Sequence, residues 1–243
     1  MKLKLIKKVD EAKGTKSFFW ESDKPITFLP GQYLYYTLPK LAFPDPKGST
    51  RHFTISSSPT DGPVLRLTTR IREESGFKKT LDALPIGTEI EGEGPSGTFI
   101  FDENESGVHI FIAGGIGITP FRCMLKYVAD KKLSNPVYLI YSNSIPEEIA
   151  FRAELEELAS AHPNIKVAMT VTKPEESTEK WTGLTGRIDD VMIKKLLEEW
   201  KLEIAGCTFW LCGPPLMIDA MEQVLGKLNI SSGKVHSEKF TGY

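Results

Sequence analysis

The chain is poor in the groups that build metal centres. Its 243 residues include three cysteines, Cys123, Cys207 and Cys212, with no Cys-x-x-Cys pair among them. That spacing argues against an iron–sulfur cluster or a thiolate zinc site. Four histidines, His52, His109, His162 and His236, are scattered without ligand spacing. Charge of neither sign dominates: 30 basic residues stand against 32 acidic ones, so a nucleic-acid partner is not expected. No apolar run is long enough to span a bilayer. The longest, from Ile110 to Phe121, is broken by glycines. The opening run from Met1 to Lys8 alternates Lys with Leu and Ile, and reads as an edge strand rather than a signal peptide. There is no internal repeat. The expectation is a cytoplasmic protein without membrane insertion, with length for one large or two modest cores.

The pattern changes along the chain. Residues 2–9, 15–21, 33–38, 51–56, 64–71 and 88–93 are rich in β-branched and aromatic side chains and punctuated by Gly and Pro. They read as short strands of a closed antiparallel barrel. One helix is predicted over 76–84, and residues 40–50, with Pro44, Pro46 and Gly48, read as an exposed loop. The polar stretch 102–107 reads as an interdomain turn, giving domains 1–103 and 104–243. Beyond it, buried-type strands (108–113, 136–142, 165–171, 207–212) alternate with helices (from 119, 146–160, 188–200, from 214). That alternation predicts an α/β doubly wound parallel sheet, the architecture of a nucleotide-binding domain.

Three segments carry chemistry. In Arg51-His52-Phe53-Thr54, alternation sends Arg51 and Phe53 to one side of a strand and His52 and Thr54 to the other. A guanidinium clamps pyrophosphate, an aromatic ring stacks on a heterocycle, and a hydroxyl bonds its edge. Downstream, Ser75-Gly76-Phe77-Lys78-Lys79 opens a helix whose N-terminal amides and lysines suit the same pyrophosphate; the alternative is a solvated lysine face. In Gly114-Gly115-Ile116-Gly117-Ile118-Thr119-Pro120, a glycine turn after a strand lets backbone approach a second pyrophosphate. Pro120 suits a first helical turn, and Thr119 either caps that helix or bonds the cofactor. Cys212-Gly213-Pro214-Pro215-Leu216-Met217 ends the last predicted strand, where ligands of open α/β sheets lie. Cys212 has no basic neighbour in sequence, so it reads as a small spacer rather than a nucleophile.

These segments, with Phe28-Leu29-Pro30-Gly31-Gln32-Tyr33 and Gly94-Pro95-Ser96-Gly97-Thr98-Phe99, occur in the order and spacing of one family. Over essentially its whole length the chain resembles the ferredoxin–NADP reductase superfamily of flavoproteins. The resemblance implies FAD, in preference to FMN, held by Arg51, His52, Phe53 and Thr54, with Thr54 near flavin N5. It extends the flavin contacts to Thr68, Thr69, Gly76, Phe77, Lys78 and Lys79, although the family more often has Tyr where Phe53 stands and Ser or Thr where Lys79 stands. It implies NAD(P)H at Gly114, Gly115, Gly117, Thr119, Pro120, Ser142, Asn143, Gly213, Pro214, Pro215 and Met217, with Cys212 beside the reacting carbon. Near the end of the chain, Glu238, Phe240 and Tyr243 fall where relatives carry catalytic or flavin-covering residues; Phe240 and Tyr243 both qualify as the covering aromatic. NADH and NADPH remain equally open, with Arg152 and Lys173 the candidate cations for a 2′-phosphate.

The implied activity is an NAD(P)H-dependent flavoprotein reductase, passing electrons to a separate acceptor such as a ferredoxin, a flavodoxin, a haem protein or a small molecule. Three other readings stand beside it: a flavin reductase using free flavin as substrate, a non-catalytic flavin-binding electron-transfer subunit, and a flavin-free dehydrogenase.

Overall fold

In the computed structural model, which describes residues 1–241, β1 (Lys2–Ala12) buries Leu3 and Leu5 and exposes Lys2 and Lys4. Such alternation turns one strand face to a core and the other to water. β2 (Thr15–Ser22), β3 (Tyr33–Thr37), β4 (Thr50–Thr54), β5 (Leu65–Arg70), an eight-residue helix α1 (Gly76–Ala83) and β6 (Glu89–Ser96) follow. The strands pair antiparallel in the order β4-β3-β6-β1-β2-β5. Its edges meet at an Ile55–Leu67 bridge and at a 2.8 Å bond from Ser56 N to Arg66 O. The expected barrel therefore closes. Its core gathers Trp20, Tyr36, Phe53, Ile55, Phe77 and Leu81.

The second half is a six-stranded parallel sheet. β7 (Val108–Gly114), α2 (Ile118–Asp130), β8 (Val137–Asn143), α3 (Arg152–Ala161), β9 (Ile165–Val171), β10 (Leu184–Thr185), α4 (Asp190–Glu199), β11 (Cys207–Gly213), α5 (Pro215–Lys227) and β12 (Val235–Lys239) succeed one another. The strand order is β10-β9-β8-β7-β11-β12. β7 is buried at every position but its first, as a central strand of a parallel sheet requires.

The chain divides into two compact units. One is Met1–Phe101 with Thr119–Tyr127; the other is Asp102–Ile118 with the residues from Val128 onward. The middle of α2 thus packs with the barrel: Phe121 meets Phe99 with ring centroids 5.8 Å apart. Sequence reading had placed that helix wholly in the second domain.

Two further differences have local causes. The helix expected over 146–160 is split into a single turn at Pro146–Glu148 and α3. Phe151, between them, has φ 60°, a left-handed conformation that a right-handed helix cannot pass through. β12 was not foreseen, because Val-His-Ser-Glu-Lys carries no apolar alternation. It forms by parallel backbone pairing with β11, from Phe209 with Val235 to Gly213 with Lys239.

Candidate functional site

The first unit gathers cations around the start of α1. Ser75 caps the helix, its hydroxyl accepting from Lys78 N at 3.3 Å. Arg51, on β4, lies over the Phe77 ring at 5.4 Å, and Phe53, two residues on, packs against the same ring at 5.9 Å. The two share a strand face, as alternation dictates. Lys78 is buried, and burial together with the charges of Arg72, Arg51 and Arg70 lowers its pKa to about 7, against an opposing pull from Glu74. Four cations converging on one helix start form a place for a polyanion. On β5, Thr69 is fully buried with no hydrogen-bond partner for its hydroxyl among the described residues.

Other residues predicted for this site take different places. Phe53 is 6% exposed, its ring held between Phe77 and Tyr36, 5.9 Å from each. Phe53 thus belongs to the barrel core cluster. The exposed ring of β4 is His52, 4.9 Å from Tyr33 and 5.6 Å from Tyr35. Thr68 is drawn inward, bonded to Ser17 at 2.6 Å and Ser56 at 2.8 Å, so its hydroxyl serves the barrel. Thr54 is buried at the end of β4. Lys79 pairs with Glu73 at 3.2 Å and lies over Phe43 at 4.7 Å. Gly76 has a steric reason: a Cβ there would stand 2.1 Å from Pro44 O.

Asp45 was missed by sequence reading. Its carboxylate accepts from Arg51 Nη2 at 2.6 Å, Lys47 N at 2.9 Å, Phe77 N at 2.9 Å and Ser75 Oγ at 3.2 Å. Burial pushes its pKa up, but the amides of Phe77 and Lys47, with Arg51 and Ser75, outweigh this and hold it below the usual carboxylate value. The signal was present: a lone acid between two prolines, six residues before the arginine.

In the second unit, the glycine turn presses against the end of β11. A Cβ on Gly117 would lie 2.2 Å from Cys212 O, and one on Gly114 would lie 2.2 Å from Met217 Sδ. Gly115 adopts φ +52° in the short turn that leads into α2, a conformation natural to glycine. Thr119 is the second residue of α2 and Pro120 the third, so Thr119 lies past the capping position expected of it. Cys212 is fully buried, and burial raises its thiol pKa well above the ordinary value. Glu238 lies opposite it in register across β11 and β12. Burial lifts the Glu238 carboxyl to about 7. Phe240 is tied by its amide to Gly213 O at 3.0 Å. Tyr243 falls outside the described residues.

A cavity of about 360 Å³ in this unit is lined by Ser142, Thr172, Arg187, Pro214, Leu216 and Met217, among others. It joins the end of β8 to the Pro-rich start of α5, and Pro215 is the first residue of that helix. Asn143 is buried with neither amide atom hydrogen-bonded among the described residues. Of the cations considered for a 2′-phosphate, Arg152 is bound to Glu156 and Glu179, and Lys173 to Glu176 at 2.8 Å. Arg187, which was not considered, lines the cavity. A cavity bordered by the end of β8, the proline-rich start of α5 and one arginine has polar and charged groups of the kind a dinucleotide needs.

Comparison with known proteins agrees with this division. Residues 2–101 match the oxidoreductase FAD-binding domain family, and residues 111–223 match the oxidoreductase NAD-binding domain family. The chain is 25% identical over 241 residues to the glycine betaine monooxygenase reductase subunit of Chromohalobacter salexigens, covering 98% of this chain and 63% of that one. It is 30% identical over 222 residues to the phenol hydroxylase P5 protein of Acinetobacter pittii, covering 90% and 59% respectively. It therefore spans about three fifths of the length of these relatives. In fold it is similar to a ferredoxin NADP+ reductase from Neisseria gonorrhoeae solved with FAD and NADP, with a TM-score of 0.81, 17% identity and 98% of both chains covered. A barrel with a cation-ringed helix start, followed by a parallel sheet with a glycine turn, and a domain-family match to each in that order, make this chain a member of the ferredoxin–NADP reductase superfamily.

Proposed function

We propose that the protein is an FAD-dependent oxidoreductase that takes hydride from NAD(P)H and passes electrons to a separate acceptor. The observation that carries this reading is the cation cluster of Arg51, Arg70, Arg72 and Lys78 at the start of α1, in the half of the chain that matches FAD-binding domains. When bound, the flavin supplies hydride acceptance and release of electrons one at a time.

The protein's own groups bind and orient. Arg51, Lys78 and the first amides of α1 hold the pyrophosphate. The Thr54 hydroxyl bonds the flavin edge near N5. In the second unit, Gly114 and Gly117 allow backbone to approach the pyridine dinucleotide, Ser142 bonds its ribose, and Arg187 is the cation for a 2′-phosphate. Cys212 supplies a compact, non-basic wall, and its thiol remains protonated. Glu238, its carboxyl lifted to about 7 by burial, exchanges a proton beside it near neutral pH. Phe240 is the candidate ring to stack on a bound cofactor, a contact worth about 0.5–1.5 kcal/mol beyond burial, small enough for a ligand to displace. The acceptor is a separate protein or small molecule; the reductase subunits of oxygenase systems among the relatives support a protein.

The test is an anaerobic titration of flavin-loaded protein with NADH and then NADPH, followed by flavin absorbance. Bleaching with about one equivalent supports the reading. Flavin that stays oxidised under both nucleotides rules it out in favour of a non-catalytic flavin carrier.

A further inference from the structure

We propose that Asp45 is an internal anion standing in the place of the flavin phosphate, so that the 40–50 loop must release α1 before a phosphorylated flavin is held. The protein would then bind flavin as an exchangeable ligand, graded by the phosphate that the ligand carries. This rests on the flavin reading above and adds a residue that controls it.

The donors that suit a phosphate are already spent on Asp45. Arg51 Nη2 points to its carboxylate at 2.6 Å, and the Phe77 amide, at the start of α1, points to it at 2.9 Å. The other arm of the guanidinium donates to Lys47 O at 2.6 Å, Thr50 O at 2.7 Å and Gly48 O at 3.1 Å. An N–H directed at a carboxylate is not available to a phosphate oxygen, so the two anions exclude each other. The Asp45 side chain is only 5% exposed. A phosphate therefore reaches Arg51 and Phe77 N only after the loop has moved.

Besides Asp45, the loop is fastened at several points. The amides of Ala42 and Phe43 donate to Thr80 Oγ1 at 3.1 and 3.2 Å. Lys79 lies over the Phe43 ring, and Pro44 O occupies the space that Gly76 leaves. Most of the loop is exposed, and only Leu41, Asp45 and Ser49 are half-buried as whole residues. Release gives up the part-buried bonds of Asp45, Ala42 and Phe43 and the packing of Leu41 against the barrel core, so the phosphate contacts must offset them. It takes one negative charge out to water and leaves Arg51, Arg70, Arg72 and Lys78 facing the incoming polyanion. A flavin without phosphate gains nothing from that exchange.

The experiment measures dissociation constants by quenching of flavin fluorescence, using full-length protein stripped of flavin. Riboflavin, FMN and FAD are each titrated into the wild type and into Asp45→Asn. The expected result is FMN and FAD binding about tenfold tighter to the variant, with riboflavin within about twofold, the size of one charge-assisted contact regained. A shift of equal size for all three flavins, or weaker FAD binding by Asp45→Asn, overturns the inference while leaving the flavin reading intact. If neither protein binds any flavin, the flavin reading falls and takes the inference with it. Amide hydrogen exchange on the wild type alone gives a second test that does not depend on the variant folding. FAD should speed exchange at Phe43 and Lys47 and riboflavin should not; unchanged or slowed exchange with FAD overturns the proposal.

Discussion

Cys212 and Glu238 stand opposite each other in register on the parallel strands β11 and β12. A buried thiol beside a half-buried carboxyl disfavours charge on both, and burial raises the pKa of each. For Glu238, burial sets the folded value at about 7, above the ordinary 4.5. A raised carboxyl favours the folded state most where it is protonated. Its contribution is complete below about 4.5 and is lost as the pH rises through about 7. Urea unfolding of the wild type should therefore show stability falling across that window, and Glu238→Gln should flatten it. A variant with the same pH slope as the wild type would mean that another group titrates there.

The thiols give a second expectation. Cys123, Cys207 and Cys212 are all free and buried, and burial raises each pKa, that of Cys123 to about 12. Thiolate is the reactive species. Iodoacetamide at pH 8 should therefore label none of the three in the native protein and all three after unfolding, as counted by mass spectrometry. Rapid native labelling at Cys212 would restore the nucleophile reading that its surroundings argue against.

Arg122 of α2 reaches back to the barrel. It donates to Asp61 Oδ2 at 2.6 Å and to Ser56 O at 2.9 Å, with 6% of its side chain exposed. Burial pushes the Asp61 carboxyl up, but Arg122 and the Ser58 amide more than offset this and hold it low. Removing one partner of a buried pair strands the other. Asp61 is 22% exposed, so the cost of Asp61→Asn is placed at about 2 kcal/mol, below the value for a fully buried pair. The depressed carboxyl contributes above its unfolded value and loses that contribution as the pH falls below about 4. Urea denaturation at pH 7 and pH 3 measures both: the gap between wild type and Asp61→Asn should be smaller at the second than at the first.

Much of this arrangement was legible in the residues. The alternation of Lys with Leu in β1 and the run of buried types in β7 announced an antiparallel and then a parallel sheet. Arg51 drew attention because a fixed cation on a strand end is chemically specific. The failures share a cause. Phe53 was read from its ring chemistry, but how a ring packs depends on the side chains across from it, here Tyr36 of β3 and Phe77 of α1, and these come from other elements. β12 is invisible to periodicity because its stability comes from pairing with β11. Asp45 and Arg187 become significant only through residues 32 and 45 positions away, Phe77 and Ser142. Sequence spacing does not report such encounters.

The proposed role of Arg187 predicts how the protein chooses between NADH and NADPH. It lines the same cavity as Ser142, while Arg152 and Lys173 are occupied by glutamates. A 2′-phosphate that meets a guanidinium gains a charge-assisted contact, which NADH cannot form. Arg187→Ala should raise KM for NADPH about tenfold and leave KM for NADH within about twofold, roughly 1.4 kcal/mol of discrimination. Equal effects on both nucleotides would give Arg187 a structural role, and no effect on either would move the phosphate elsewhere.

Lys78 links flavin binding to pH. Burial and the neighbouring Arg72, Arg51 and Arg70 bring its pKa to about 7, so above neutrality the flavin-free protein carries it largely uncharged. A pyrophosphate beside the ammonium opposes that effect and raises the value again. Binding above pH 7 must then take up a proton, and FAD affinity must fall as the pH rises, by up to about tenfold per pH unit between the free and bound values. Calorimetry in two buffers of different ionisation enthalpy reads the uptake directly. Lys78→Met should bind FAD more weakly at pH 7, because one cation is lost, and should show no proton uptake. If proton uptake persists in Lys78→Met, it belongs to another group, and Lys78 then fills the helix start without meeting the phosphate.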